Sequence, residues 1–297
     1  MTRPSTPKTV LVCGATGDTG RAAVAESAAL GLKVRALVHR ADDRSAALCD
    51  LGAEIVTGDL LDINSVRPAM DGVAAAYLVW PVAPGLIHAT VNFAQAAREA
   101  HLDTVINQSQ RSADRWSTSD SCRDTFIAEQ VLDWSGLDVV HLRPTYFLEW
   151  LLYPWQLPYL RQGVLRIPAG RGRHSPIAAA DQGRVIAALL QEAHAHIGTT
   201  IPISGPVEMD HEQMAAELSE ALGRSIVYQD LPVAEYVTSL REMNVSPYIV
   251  QHLSGAMVDY QNGHMAGADD NVEKITGQPP MTVGDFARAH LDTLNGA

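Results

Sequence analysis

Hydrophobic positions along this chain fall into short blocks, each closed by glycine, proline or a charged residue, and strand-length blocks alternate with helix-length ones. The first is Val10-Leu11-Val12-Cys13, an apolar run that leads into Gly14-Ala15-Thr16-Gly17-Asp18-Thr19-Gly20. Residues 21–30 then read as a helix whose Ala22, Ala23, Ala25, Ala28 and Ala29 permit close packing, with Gly31 suited to the position after its end. Residues 33–38 read as a second strand, and Asp42 and Asp43 as turn or cap residues for a helix over 44–51. A third strand is expected at 54–57, and Asp62 or Asn64 opens a short helix toward Met70. Residues 74–80 are nearly all apolar, the pattern of a strand buried on both faces, and Pro81 ends it. Helices are expected over 86–100 and 121–135, and strands over 104–108 and 138–142. This alternation predicts an α/β fold with a doubly wound parallel sheet.

At 297 residues the chain exceeds a minimal fold of this type, so a smaller C-terminal α/β lobe is expected. The division is drawn at 1–145 for the nucleotide domain and 146–297 for the lobe, with later strands free to return to the sheet. Within the second part, Asp210-His211-Glu212-Gln213 resembles a capping box, Met214, Leu218 and Leu222 keep helical spacing, and Gly223 is the stop. Residues 285–294 read as a final helix.

Composition narrows the classes. Hydrophobic residues make up 46% and charged ones 19%, enough for a substantial core, while no apolar run reaches the roughly 18 residues of a membrane span. Residues 1–8 carry no apolar segment and read as a short disordered lead, so cytoplasmic residence is expected. A net charge of −12 with only Lys8, Lys33 and Lys274 as lysines argues against nucleic-acid binding. Cys13, Cys49 and Cys122 make neither a disulfide framework nor a CxxC pattern, and Cys13 reads as a small buried strand residue. His194 and His196 stand two apart on an expected helix and so diverge, and no metal site is expected.

The glycines after the first strand carry the chemistry. A dinucleotide pyrophosphate needs a tight turn, backbone approach without a Cβ, and free N–H groups at a helix N-terminus, which Gly14, Gly17 and Gly20 supply. About twenty residues on, where an NAD site carries an acid, stand His39 and Arg40, so a 2′-phosphate and hence NADPH or NADP is expected. Arg40 is the first choice for that contact and Arg44 the second, since a guanidinium binds phosphate through paired hydrogen bonds. Ligands in such sheets lie at the carboxyl ends of strands. That rule gathers Gly14, Thr16, Gly17, Asp18, Thr19, Gly20, His39, Arg40, Arg44, Asp59, Leu60, Val79, Trp80, Ser109 and Pro144 as cofactor-binding residues. Phe147, Trp150, Tyr153, Trp155 and Tyr159 crowd one segment of a chain that is 6% aromatic, either a wall for a flat apolar substrate or a packing cluster.

Taken together, the GATGxxG loop, Val34-Arg35-Ala36-Leu37-Val38-His39-Arg40, Gly58-Asp59-Leu60, Ser135-Gly136-Leu137, Leu142-Arg143-Pro144, Ser204-Gly205-Pro206 and Ala221-Leu222-Gly223-Arg224 resemble the NmrA-like, atypical short-chain dehydrogenase/reductases. The resemblance implies a Rossmann domain with a small lobe, NADP(H) binding, and an activity among quinone and dye reductases, isoflavone-type reductases, biosynthetic enzymes or non-catalytic redox sensors. Two departures matter. A Tyr-x-x-x-Lys pair is absent, because Pro4, Ala29 and Asp270 stand four residues before the three lysines. The basic residue many relatives carry before the glutamate of the helix preceding Ser-Gly-Leu is also missing, since Ser121 and Thr125 stand there, counted from Glu129.

Hydride transfer to a ketone creates an alkoxide that needs an acid nearby, whereas a quinone, imine, enone or cationic dye gives a product that water can complete. The expectation is an NADPH-dependent reductase of a conjugated, largely apolar small molecule, acting as a monomer or homodimer. Ser109, matching the family serine after the fifth strand, is a candidate to hydrogen-bond the acceptor, and Tyr146, Tyr153 and His174 are candidate proton donors. The alternatives are an NADP(H)-sensing regulatory protein without turnover and a biosynthetic isomerase or cyclase on the same fold.

Overall fold

Strand and helix alternate from the first element of the computed structural model, which describes residues 8–296. Of the expected lead over 1–8, residues 1–7 lie outside the described residues. The first half contains β1 (Thr9–Val12), α1 (Asp18–Ala29), β2 (Lys33–Val38), α2 (Asp43–Asp50), β3 (Glu54–Thr57), α3 (Ile63–Ala69), β4 (Ala75–Leu78), α4 (Leu86–Glu99), β5 (Thr104–Gln108), α5 (Asp120–Trp134) and β6 (Val139–Pro144). All strands of the main sheet are parallel, in the order β3-β2-β1-β4-β5-β6-β8, with β8 at Thr200–Ile203. The order reverses direction between β1 and β4, so a crevice opens there at the carboxyl ends of the strands.

Alternation within β1 assigns its side chains to two cores. Val10 and Val12 pack with Ala23 and Val24 of α1 and with Val185, Ile186 and Leu189 of α7 (Ala179–Gln191). Leu11 and Cys13 face the other way, toward Val66, Phe93, Ala97 and Leu132 of α3, α4 and α5. Cys13 is fully buried, and burial pushes its thiol up to about 12, so it is an inert packing residue. Every residue of β4 is buried, as expected of a central strand covered on both faces.

The chain after Thr145 is not one piece. α7 packs on α1 and β8 pairs with β6, so residues 179–203 complete the nucleotide layer. The lobe is assembled from α6 (Leu157–Arg161), β7 (Val164–Arg166), α8 (His211–Leu222), β9 (Val227–Gln229), α9 (Val233–Glu242), α10 (Pro247–Gln261), α12 (Val283–Ala289) and α13 (Leu291–Asn295). α11 (Asn271–Thr276) returns to α7. β7 and β9 form a parallel pair, and the lobe has its own core of Leu148, Leu160, Leu165, Met214, Leu218, Met257 and Phe286. No described helix is long and apolar enough to cross a membrane.

Local signals explain the helix ends. Asp42 accepts from the backbone N–H of Arg44 and Ser45 while Ser45 Oγ accepts from Asp42 N, and Asp210 and Gln213 form a second box of this kind, ahead of a left-handed Gly223. Two expectations are corrected. The final helix breaks at His290 into α12 and α13, and His194 and His196 sit on a single 3-10 turn rather than an α-helix. β6 also runs two residues past Leu142 because Arg143 and Pro144 pair with β8.

Gly183 sets the distance between α1 and α7, since a Cβ there would lie 2.6 Å from Ala22 Cβ and 2.7 Å from its carbonyl carbon. Helix propensity alone favours alanine over glycine by about 1 kcal/mol, whereas overpacking costs about 1–3 kcal/mol. Gly183→Ala is therefore expected to destabilise the protein in urea unfolding. A stabilisation of about 1 kcal/mol would show that the two helices separate without cost.

Candidate functional site

The glycine loop closes on itself before α1 begins. Gly17 N donates to Gly14 O at 2.9 Å and Arg21 N to Gly17 O at 2.8 Å, while Gly14 takes a left-handed φ of +57°. A Cβ at Gly20 would stand 2.2 Å from Gly14 O, so only glycine lets α1 start this close to β1. No side chain caps α1, which leaves its first N–H groups available to an anion. Beneath the loop runs a buried polar chain. The Tyr77 hydroxyl donates to Gln108 Oε1 at 3.1 Å and lies 3.2 Å from Thr19 Oγ1, and Gln108 Nε2 donates to Gln182 Oε1 at 2.9 Å.

At the end of β2, His39 and Arg40 are exposed, with Arg40 Nε 3.9 Å from Asp42 Oδ2 and His39 Nδ1 3.9 Å from Asp59 Oδ2. Arg44 is held by Asp42 through Nε at 3.1 Å and Nη2 at 2.7 Å. Of the two candidate phosphate ligands, Arg40 is thus the one left without a close partner. Asp59 Oδ1 accepts from Leu61 N at 2.8 Å, and Leu60 is buried with its carbonyl bound by Asn92.

A cavity of about 420 Å³ runs from the loop to the lobe. Of the expected residues it brings together Gly17, Asp18, Thr19, Val79, Trp80, Ser109, Pro144, Tyr146 and Tyr153. Gly14 and Gly20 shape the loop rather than line the cavity, Thr16 is half-buried on the same loop, and His39, Arg40, Arg44, Asp59 and Leu60 lie off its walls. Phe147, Trp150 and Trp155 join Tyr146 and Tyr153 on the lobe side, so that much of the aromatic segment is wall.

Geometry redistributes the catalytic expectations. Ser109 Oγ donates to Glu129 Oε1 at 2.5 Å, and Arg143 binds the same buried carboxylate through Nε at 2.8 Å and Nη2 at 2.5 Å. The serine proton is committed to an ion pair. Tyr153 reaches from the lobe to donate to Asp18 Oδ2 at 2.8 Å, and burial raises its phenol. The Tyr146 ring is 3% exposed, edge-on to Trp150, and burial holds its phenol protonated. His174 is corrected: it is absent from the cavity wall, fully buried against Tyr146 and His211 at ring separations of 5.3 and 4.4 Å, and neither ring nitrogen has a partner. Burial keeps it neutral, so it carries no imidazolium proton to transfer. At the positions of the missing basic group, Gln110 Nε2 donates to Thr125 Oγ1 at 2.8 Å and Thr125 Oγ1 to Ser121 O at 2.7 Å.

Sequence reasoning missed α10, which lends Tyr248, His252 and Tyr260 to the cavity. The available signal was Ser246-Pro247, a cap followed by proline in the first turn, with Ser246 Oγ accepting from Ile249 N. No group of three or more His, Cys, Asp or Glu side chains that could hold a metal ion occurs among the described residues.

A parallel sheet with this crossover, a glycine loop feeding an uncapped helix and a cleft at the switch point define the NAD(P)-binding Rossmann class. The NmrA-like family matches residues 6–273, and the chain belongs to that family. It is 26% identical to the NAD(P)H azoreductase of Xenophilus azovorans over 97% of this chain and 100% of that one. The NADPH-dependent quinone oxidoreductase of Escherichia coli, solved with NADPH, superposes with a TM-score of 0.83 at 25% identity, covering 95% of this chain and 99% of that one. NmrA, a negative transcriptional regulator solved with NAD, shares the fold with a TM-score of 0.81 at 18% identity, over 95% and 94% of the two chains. The named relatives thus include oxidoreductases, and solved neighbours hold NADPH or NAD.

Buried histidines tie stability to pH. Burial lowers His174, and takes His211 and His252 to about 4, so below the unfolded value of about 6.5 the unfolded chain binds protons that the folded chain refuses. Stability therefore falls as pH drops through 6.5 toward 4, by about 1.4 kcal/mol per pH unit for each histidine. Glu149 runs the other way. Its carboxyl, buried beside the Ala179 N–H that it accepts, is raised to about 7, so its protonation favours the folded state as pH falls below 7. Urea unfolding at pH 7 and pH 5 is expected to show lower stability at pH 5, and His174→Leu to shrink that difference. An unchanged difference would mean that His174 protonates freely in the folded protein.

Proposed function

We propose that the chain is an NADPH-dependent reductase of a conjugated, largely apolar acceptor. The observation that carries this reading is the continuous cavity from the glycine loop to an aromatic wall, without a Tyr-x-x-x-Lys pair along it. The residues fit the dinucleotide: Gly14, Thr16, Gly17, Asp18, Thr19 and Gly20 form the pyrophosphate cradle, and Arg40 binds the 2′-phosphate. His39, Asp59 and Leu60 flank the adenosine end, while Val79, Trp80, Ser109 and Pro144 flank the nicotinamide end. When bound, the reduced nicotinamide supplies a hydride. The protein's part is to hold the acceptor against that end, with Phe147, Trp150, Tyr153 and Trp155 excluding water, so that positioning is the main catalytic contribution. Residues 146–297 then act mainly as the substrate lobe.

Ser109 orients rather than protonates, because its proton is held by Glu129. With Tyr146 held protonated by burial and His174 walled off, water is the proton source. The same shortage of free acids favours, as a second reading, a protein that senses NADP(H) without turnover, which would need different affinities for NADP⁺ and NADPH.

Calorimetric titration with NADPH, NADP⁺, NADH and NAD⁺ tests the reading. NADPH is expected to bind more tightly than NADH, and Arg40→Ala to weaken NADPH by about tenfold or more, the worth of a charge-assisted phosphate contact, while leaving NADH unchanged. Failure of all four to bind would overturn both readings. Binding without turnover of any quinone or dye would select the sensor.

A further inference from the structure

The lobe places one imidazole nitrogen in the cavity with nothing else to bind. His252 on α10 is 4% exposed and forms part of the cavity wall opposite the strand ends. Its Nδ1 lies 2.9 Å from Ser119 Oγ. Its Nε2 makes no hydrogen bond among the described residues, yet it is not sealed in the core as the nitrogens of His174 and His211 are. The one free polar atom of the ring is therefore the one presented to the cavity.

Ser119 determines which nitrogen carries the proton. Its hydroxyl oxygen is the N-cap of α5 and accepts from Cys122 N at 3.2 Å. With its oxygen taking the Cys122 N–H, the hydroxyl has one proton to give, and His252 Nδ1 is a stronger acceptor for it than the neighbouring Cys122 thiol. In that arrangement Nδ1 is the acceptor and Nε2 bears the hydrogen, the tautomer on which the inference below rests. The ring is held in place as well. Gln251 Oε1 accepts from Asp120 N at 2.9 Å, Gln251 Nε2 donates to Thr118 O at 2.7 Å, and Tyr248 donates to Asp124 Oδ2 at 3.1 Å. Gly255 lets the helices meet, since a Cβ there would lie 2.7 Å from Ser119 N. Such a framework is what a preorganised donor requires, because the hydrogen need not be reoriented when charge develops in front of it.

We propose that His252 Nε2–H is a catalytic hydrogen-bond donor to the carbonyl oxygen or imine-type nitrogen of a neutral conjugated acceptor, and that it selects such acceptors over cationic ones. This rests on the reductase reading above. A neutral quinone takes two electrons and one hydrogen from the reduced nicotinamide and a proton from water to become a hydroquinone, and its oxygen becomes negative before that proton arrives. The donor meets this charge. A cationic triphenylmethane dye takes the same hydride on its central carbon and becomes neutral, so no negative charge develops for the donor to stabilise. Burial keeps the ring neutral near pH 7, and a neutral imidazole acts here as an electrophile rather than a full acid.

The experiment compares His252→Phe and His252→Gln with the wild type, using menadione as the neutral acceptor and malachite green as the cationic one. His252→Phe is expected to lower the kcat/KM ratio of menadione to malachite green by at least about tenfold, and His252→Gln, which retains an N–H near the Nε2 position, to recover most of it. Nitrogen-15 NMR of the NADP⁺-loaded wild type should find the His252 proton on Nε2, with that signal shifting when menadione is added. Equal losses on both acceptors, or a proton on Nδ1, would overturn the proposal. Wild-type turnover of neither acceptor would count against the reductase reading itself, and the NMR arm would still decide whether His252 donates to a neutral carbonyl ligand.

Discussion

The approach of α1 to its neighbours is the constraint on which the rest of this structure depends. On one side Gly20 lies under the carbonyl of Gly14, and on the other Ala22 meets Gly183 of α7. Neither contact tolerates a Cβ, so one helix is fixed between the sheet and a segment more than 150 residues further along the chain. Because α1 begins where the loop ends, this packing also sets where its uncapped N–H groups point. The polar chain from Thr19 through Tyr77 and Gln108 to Gln182 ties the same three elements, α1, the sheet and α7, together by hydrogen bonds, where the glycines act by excluded volume. Packing and hydrogen bonding thus act on one geometry, with Gln182 Nε2 at the end of the chain left buried without a partner.

Charge in the site is committed rather than free. Glu129 is paired with Arg143 and accepts a hydrogen bond from the Ser109 hydroxyl, and Arg44 is held in the cap of α2. Among the cavity aromatics the phenols of Tyr146, Tyr153 and Tyr260 are kept protonated by burial. A cavity walled in this way has little power to move protons and much power to orient a flat ring, which matches the absence of the Tyr-x-x-x-Lys pair.

The nucleotide half was legible because its signals are local. β5 and the capping box at Asp42 stand where the apolar pattern and cap residues put them, and β4 announces itself as a run buried on both faces. The lobe was less legible for a physical reason. Its strands β7 and β9 have three residues each and α6 has five, too short for a period to register. The role of His252 depends on Ser119, 133 residues away, and no local pattern encodes that contact. His174 misled in the opposite way: the sequence offers it as a candidate proton donor, and tertiary packing buries it among aromatic rings.

The hydrogen bond from Tyr153 to Asp18 joins the lobe's aromatic wall to the first turn of the helix that would meet a pyrophosphate. One side chain thus belongs to both ends of the cavity, so a ligand that displaces Asp18 also releases a wall residue. Affinities at the two ends are then not independent quantities. Whatever factor the first ligand imposes on the second, the second imposes on the first. Through a single phenol, occupancy at one end of the cavity becomes a property that the other end reads.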